Sequence, residues 1–182
     1  MNNLKVRSLF FMLIATNVFA NDSDFYTSAR AILGDMVEIE STEEKGLATS
    51  VSQYAESVLL NNAFVEDDLE VVVPAKDSKG LYAIYRGRSS KDPVIVMAHV
   101  DVVPAVKNSW ITDPFKMTEI DGFLHGRGTS DNKAGAAGLV ATFAKLRAEG
   151  FVPQNDIIML LIGDEETGTQ SIRYFKDDYK NV

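Results

Sequence analysis

The chain contains no cysteine among its 182 residues, and its only histidines are His99 and His125. The absence of cysteine excludes disulfide bonds, thiolate metal sites and cysteine nucleophiles. A metal ion, if the protein holds one, must be bound by histidine, aspartate and glutamate. With 46% hydrophobic residues, the chain can still bury a core large enough to fold without cross-links.

Basic residues are also scarce, because 18 lysines and arginines stand against 26 aspartates and glutamates, for a formal net charge of -8. No block of lysine or arginine is present that would attract a nucleic acid or an anionic membrane. We therefore expect no polyanionic partner. The length suits one domain better than two.

Residues 1–20 have a different character from the rest of the chain. Lys5 and Arg7 precede an apolar run from Leu9 to Ala15, and small residues stand at the end of the segment. This pattern predicts a secretory signal peptide. Residues 21–182 would then be an exported protein, periplasmic or secreted, with no membrane attachment after cleavage. A buried helix or a retained anchor is the alternative, but the apolar run is short for spanning a bilayer.

Three segments carry apolar residues at helical spacing, which predicts amphipathic helices. These residues are Phe25, Ala29, Ile32, Leu33 and Met36, then Val51, Tyr54, Ala55, Val58 and Leu59, and finally Ala136, Leu139, Val140, Phe143 and Leu146. The third helix should end at Gly150.

Short apolar runs predict the strands. They are Val71–Val73, Leu81–Tyr85, Val94–Ala98 and Ile157–Ile162, with a hairpin formed by Lys116–Ile120 and Phe123–His125 around Asp121-Gly122. Because Val94–Ala98 is continuously apolar, we expect it to be covered on both faces and central in the sheet. The order of elements predicts an α/β domain with a mixed, mostly parallel sheet flanked by helices.

His99 and Asp101 directly follow the Val94–Ala98 strand. Residues two apart on an extended chain point to the same side, and ligands of α/β sheets gather beyond the carboxyl ends of strands. We interpret His99 as a metal ligand and Asp101 as the carboxylate that orients its imidazole. The alternative is a strand end whose histidine and aspartate are simply solvated.

Glu165 and Glu166 follow the last apolar strand in the same way. Adjacent carboxylates diverge, which suits one metal ligand and one base that accepts a proton from an activated water. The alternative is an acidic helix start, since acids are favoured near a helix N-terminus.

The segment from Gly126 to Lys133 is a polar glycine loop that leads into a helix, but its spacing matches neither the phosphate loop nor the dinucleotide fingerprint. Asp131 in this loop is either a metal ligand or a helix cap that accepts the amide of Lys133 or Ala134. We expect Lys133 itself to be solvated, with neutralisation of nearby carboxylates as the alternative.

Taken together, these segments resemble a family of zinc metallopeptidases. The family includes aminoacylases, acetylornithine deacetylase, succinyl-diaminopimelate desuccinylase, and glutamate and dipeptide carboxypeptidases. The matching segments are Val96–Pro104, Trp110–Phe115, Asp121–Lys133 and Gly163–Gly168, and the resemblance extends from about Ala29 to the end.

The resemblance implies a two-zinc hydrolase that acts on dipeptides, small peptides or N-acyl amino acids. It assigns His99 to one zinc and Glu166 to the other, makes Asp131 the bridging carboxylate, and makes Glu165 the general base. Asp101 supports His99. Cobalt or manganese would also suit these donors.

The sequence departs from the family after the glutamate pair. Family members continue with a further carboxylate ligand, a lid or dimerisation domain and a late histidine, so a homodimer is expected only of a full-length form. Asp177 and Asp178 are poor substitutes because they fit an exposed helix, and we expect His125 to be packed or half-exposed rather than a ligand. The sequence therefore predicts either the N-terminal portion of a hydrolase or an inactive remnant that binds zinc or a partner weakly.

Overall fold

The computed structural model describes residues 22–72 and 79–178. The predicted signal peptide and Val73, the end of the first predicted strand, lie outside these ranges. Among the described residues, no helix has both the length and the apolar character needed to cross a bilayer.

The described part of the chain contains four α-helices, two short 3-10 helices and six strands. The 3-10 helices are Glu66–Asp68 and Lys107–Ser109. The α-helices are α1 (Asp22–Glu38), α2 (Ala48–Asn61), α3 (Lys133–Ala148) and α4 (Gln170–Asp178). The strands are β1 (Leu69–Val72), β2 (Gly80–Tyr85), β3 (Ser89–His99), β4 (Thr118–Ile120), β5 (Phe123–His125) and β6 (Asn155–Ile162).

The three helices predicted from apolar spacing are confirmed as α1, α2 and α3. Each buries the predicted face, with Met36, Val51 and Val140 fully buried. Helix α3 stops two residues before Gly150, whose φ of 69° places it in the left-handed region that glycine adopts without strain.

The predicted α/β class and the mixed character of the sheet are confirmed. The main sheet has the strand order β1-β2-β6-β3. Strands β1 and β2 pair antiparallel, as do β2 and β6, and only β3 and β6 run parallel. The prediction of a mostly parallel sheet is therefore wrong for the described residues, because an apolar run indicates burial and not the direction of the neighbouring strand.

The prediction that Val94–Ala98 is central and covered on both faces is also wrong. The central strands are β2 and β6, and β3 lies at the edge of the described sheet. On β3, Val94, Ile95 and Met97 are 50–58% exposed, whereas Ala98 is buried. One face of the strand contacts α3 and the other is largely open to solvent. The strand therefore has more apolar side chains than the described part of the fold buries.

The main core lies between the sheet and helices α1, α2 and α3. It includes Met36, Leu59, Leu81, Val140 and Leu161, all fully buried. On the opposite face, α4 covers part of the sheet, where Phe175 stacks on Tyr82 with ring centroids 6.0 Å apart.

A separate two-stranded sheet is the predicted hairpin, in which β4 and β5 pair antiparallel. Asp121 and Gly122 have φ angles of 51° and 80°. A two-residue turn with both residues at positive φ matches the twist of the flanking strands, which is why aspartate followed by glycine indicates a hairpin. The hairpin leads directly into the loop that carries Asp131.

Candidate metal centre

The parallel pairing of β3 and β6 brings two separate loops together at one edge of the sheet. His99, the last residue of β3, is in register with Ile162, the last residue of β6. The Val100 amide then donates to the Ile162 carbonyl at 2.8 Å. The loops that follow β3 and β6 therefore begin side by side at the same edge of the sheet, because the carboxyl ends of parallel strands meet there.

His99 and Asp101 are both buried, with 7% and 3% of their surfaces exposed. The alternative of a solvated strand end is therefore wrong. Nδ1 of His99 lies 3.1 Å from the Asp101 carbonyl oxygen and 3.4 Å from Oδ1 of its carboxylate. With the proton on Nδ1, the lone pair of Nε2, the nitrogen that faces Asp131, would be the donor to a metal.

The Asp101 carboxylate also binds the loop after β6. Its Oδ1 accepts the Glu165 amide at 3.1 Å, and its Oδ2 accepts the Glu166 amide at 2.8 Å. One buried side chain therefore contacts the predicted histidine ligand and the backbone of both predicted glutamates.

The predicted donor residues meet at the exposed end of this arrangement. His99, Glu165 and Glu166 each place one ligand atom within 4.8 Å of the others. Asp131 Oδ1 lies 2.9 Å from His99 Nε2, and Glu165 Oε2 lies 3.9 Å from the same nitrogen. The side chains of Asp131 and Glu165 are 77% and 51% exposed, so the cluster is open to solvent.

Both helix-terminus alternatives are wrong. Helix α4 begins at Gln170 and has no acid in its first turn, so Glu165 and Glu166 lie in the turn that precedes it. Helix α3 has Asn132 at its N-cap without a side-chain capping bond, while Asp131 contacts His99. The Asp131–Asn132 peptide bond is cis.

Lys133 corrects a further expectation, because its side chain is fully buried rather than solvated. Its Nζ donates to the carbonyls of Met36 at 2.8 Å and Ile39 at 2.6 Å, at the end of α1. Burial lowers the pKa of Lys133 to about 7, and the negative charge of Asp101 opposes that shift. The lysine thus joins the start of α3 to the end of α1 beneath the cluster.

The charged groups of the cluster shift one another's pKa values. The Asp101 carboxylate contributes most to raising the pKa of His99 to about 9, and Asp131 adds to the effect while burial opposes it. Burial raises the pKa of Glu166, the positive charge of His99 lowers it, and the neighbouring carboxylates raise it further. Several carboxylates therefore face one another around one imidazole, an arrangement that a bound cation would relieve.

The donor chemistry fits a metal ion. An imidazole nitrogen and carboxylate oxygens are ligands that zinc takes in proteins. His99, Asp131 and the glutamate pair provide enough donors for one ion with three protein ligands. Two ions that share Asp131 could not both have three protein ligands from these four residues. The donor types alone do not distinguish zinc from cobalt or manganese.

Two residues near the cluster were not identified by sequence reasoning as part of it. They are Lys133, whose charge predicted exposure, and Asp164, which is 3% exposed and lies next to the glutamate pair. Only adjacency to Glu165 could have drawn attention to Asp164. His125 is half-buried on β5, as expected, while the side chains of Asp177 and Asp178 lie outside the described part of the structure.

These features define an α/β domain with a candidate metal centre, and comparison with known proteins shows what the chain is similar to. Residues 95–181 match the profile described as peptidase family M20/M25/M40. The resemblance to zinc metallopeptidases that the motifs predict is thereby confirmed.

Individual relatives give the same result. Over 87 residues, the chain is 37% identical to an N-fatty-acyl-amino acid synthase/hydrolase, PM20D1.1, from Danio rerio, covering 47% of this chain and 17% of the relative. It is 41% identical over 90 residues to a succinyl-diaminopimelate desuccinylase from Delftia acidovorans, covering 48% and 23%.

Solved structures share the fold. The structure of the di-peptidase Dug1p from Saccharomyces cerevisiae matches with a TM-score of 0.73 at 19% identity, covering 93% of this chain and 40% of that one. The chain therefore spans about a fifth of the length of the two curated relatives and 40% of this structure.

Proposed function

We propose that the chain carries the metal centre of an amidohydrolase that cleaves amide bonds in dipeptides, small peptides or N-acyl amino acids. The observation that carries the proposal is the donor cluster, in which His99, Glu165 and Glu166 place ligand atoms within 4.8 Å of one another. Asp131 adds a carboxylate 2.9 Å from His99. Relatives named as an N-fatty-acyl-amino acid hydrolase, a desuccinylase and a di-peptidase support this substrate class.

In this proposal His99 and Glu166 would hold different zinc ions, and Asp131 would contribute its carboxylate to both. Asp131 is suited to a shared position because its side chain is 77% exposed and contacts His99 Nε2. Asp101 keeps the imidazole oriented through Nδ1. A histidine held in this way presents one nitrogen in a fixed direction.

Glu165 is the proposed general base. Its side chain is 51% exposed, whereas Glu166 is half-buried, so Glu165 is the carboxylate that water and substrate reach more readily. Its position 3.9 Å from His99 Nε2 places it beside the ligands. That proximity also makes Glu165 a candidate metal ligand. The Glu165→Gln variant described below distinguishes a ligand from a general base.

Zinc ions bound there would lower the pKa of a water molecule and polarise the scissile carbonyl. Glu165 would take a proton from the attacking water and deliver it to the nitrogen of the leaving amine, so that the carboxylate is regenerated. Asp101 would hold His99 and the Glu165 backbone in place during this transfer.

Zinc titration combined with hydrolysis assays tests the proposal. The proteins are residues 21–182 and any longer product of the same reading frame, assayed on dipeptides and N-acyl amino acids. We expect His99→Gln and Asp131→Ala to weaken zinc binding. Glu165→Gln should retain zinc but lower the hydrolysis rate by about 10² to 10⁴-fold.

Glu149→Gln is the matched control, because its side chain is 46% exposed and lies in the Lys145 ion pair, away from the donor cluster. It should change neither zinc binding nor hydrolysis. If the longest form binds no metal and hydrolyses none of the substrates, the proposal fails. If Glu165→Gln loses zinc as completely as His99→Gln, Glu165 is a ligand rather than the base.

A second candidate is a remnant that binds zinc weakly or binds a partner through an open sheet edge. The observation that favours it is the position of β3 at the edge of the described sheet, with Ile95 and Met97 largely exposed. Fewer than two tightly bound zinc ions in residues 21–182, together with no turnover, would favour this function over hydrolysis.

The site of action in this proposal is outside the cytoplasm, in the periplasm or medium. It rests on the sequence of residues 1–20, where Lys5 and Arg7 precede an apolar run. Expression of the whole chain with a C-terminal tag, followed by N-terminal sequencing of the exported product, should give Asn21 as the first residue. A product that retains Met1 and stays in the cytoplasm contradicts this assignment.

A further inference from the structure

Asp164 connects the end of β6 to the start of α4 through its backbone and its side chain. Its carbonyl accepts the amides of Thr167 at 3.4 Å, Gly168 at 3.0 Å and Thr169 at 2.8 Å. Its carboxylate accepts the Gln170 amide at 2.6 Å and the Ser171 amide at 3.1 Å, and it also accepts the Ser171 hydroxyl. One buried residue therefore closes the turn formed by residues 165–169.

This turn carries Glu165 and Glu166, whose own amides have no partner in a helix or strand ladder. They donate to the Asp101 carboxylate instead. The Asp101 carboxylate therefore holds the backbone of the glutamate pair directly, and the Asp164 carboxylate holds the end of the same turn at Gln170 and Ser171. Without the Asp164 carboxylate, the amides of Gln170 and Ser171 at the start of α4 would lose their side-chain acceptor. The turn would then be held only by the Asp164 main-chain carbonyl and by Asp101.

We propose that Asp164 is a positioning residue that acts through this turn to hold Glu165 and Glu166 at the separation from His99 that metal binding requires. The inference rests on the proposed function, since it concerns the same cluster. Residues that support metal ligands without contacting the ion commonly change metal affinity about 10 to 100-fold when replaced. The same range is expected here.

Asp156 provides a matched control at the opposite end of β6. It is 5% exposed, accepts the Gly87 amide at 2.7 Å and pairs with Arg86 at 3.2 Å. Like Asp164, it is a buried carboxylate that accepts a backbone amide at a strand end. Its loss should lower stability without altering the donor cluster.

The experiment measures zinc affinity by competition with a chromophoric chelator, and amide hydrogen exchange of residues 164–171 without metal. We expect Asp164→Ala to lower zinc affinity about 10 to 100-fold and to speed exchange at Glu165 and Glu166. Asp164→Asn keeps the side-chain shape and one acceptor oxygen, so it should fold and show a smaller change in the same direction. Asp156→Ala and Asp156→Asn should leave both measurements at wild-type values.

Equal losses of zinc affinity in the Asp164 and Asp156 variants would show that only general stability is involved, and would overturn the inference. The inference would also be overturned if Asp164→Asn bound zinc with wild-type affinity and showed unchanged amide exchange at Glu165 and Glu166. This holds even if Asp164→Ala fails to fold. Absence of zinc binding by the wild-type chain would overturn the proposed function and this assignment together. Normal wild-type binding with unaffected Asp164 variants overturns this assignment alone.

Discussion

The Asp101 carboxylate accepts a hydrogen bond from the Glu166 main-chain amide over 2.8 Å. This contact joins residues 65 positions apart in the sequence. It places the loop after β3, which begins directly after His99, against the loop after β6, which carries the glutamate pair. The same carboxylate contacts His99, so one side chain links donors from two strands.

Replacement of Asp101 by alanine should therefore affect both stability and metal binding. The variant leaves the amides of Glu165 and Glu166 without their acceptor, and we expect the free energy of unfolding to fall by roughly 2 kcal/mol. Zinc affinity should fall about 10 to 100-fold. Urea denaturation and a zinc competition assay measure the two effects. Asp113→Ala, at an exposed carboxylate, is the control, and an Asp101→Ala variant indistinguishable from it would show that the contact contributes nothing.

The imidazole of His99 should remain protonated in the metal-free chain up to about pH 9. Because this pKa lies above the ordinary value of 6.5, the folded state binds the proton more tightly than the unfolded state. The stabilisation is complete below pH 6.5 and is lost as the pH rises through about 9. A titration of the ring protons by NMR measures this pKa, and a midpoint near 6.5 contradicts the prediction.

Lys133 should have the opposite dependence on pH. Its pKa is lowered from 10.5 to about 7, so the folded state binds the proton less tightly than the unfolded state. The penalty is complete below pH 7 and is relieved as the pH rises towards 10.5. The His99 and Lys133 contributions therefore oppose each other between pH 7 and 9 in the metal-free chain.

Single variants separate these two contributions. Lys133→Met leaves the carbonyls of Met36 and Ile39 without their donor, and we expect a loss of about 2 kcal/mol near neutral pH. Its stability should then decrease with pH between 7 and 9, while that of His99→Gln should increase. Urea denaturation at several pH values measures both slopes. Parallel curves for the two variants would refute the assignment of the titrating groups.

Leu161 provides a test of the core. It is fully buried on the central strand β6, so Leu161→Ala should lower the free energy of unfolding by about 2 to 5 kcal/mol. Ile95→Ala is the matched control on the neighbouring strand, where the side chain is 58% exposed, and its effect should remain within about 0.5 kcal/mol. A comparable loss in both variants, measured by thermal or urea denaturation, would mean that the open face of β3 is covered in solution.

Local patterns were sufficient to predict much of the fold. The helical spacing from Phe25 to Met36 identified α1 because a single buried face requires that period. The pair Asp121-Gly122 identified the β4–β5 turn because both residues must adopt positive φ. These features depend on neighbouring residues alone, so no knowledge of the rest of the chain was needed.

Strand order could not be obtained in this way. The run from Val94 to Ala98 was expected in the centre of the sheet, but β3 lies at the edge of the described sheet and β6 is central. Apolar sequence measures the tendency of a strand to be buried, while its neighbours are chosen by pairings between residues far apart in the chain.

By itself, the sequence limited any metal donors to histidine, aspartate and glutamate, because it has no cysteine. The resemblance to the zinc metallopeptidases then implied His99, Asp131 and Glu166 as ligands and Glu165 as the base. The tertiary structure alone decided how they are held. It buried Lys133 against the carbonyls of α1, and it directed Asp101 and Asp164 to backbone amides of the glutamate turn. The physical reason is that a side chain's charge and type are local properties, whereas its burial and hydrogen-bond partners are set by segments that only folding brings together.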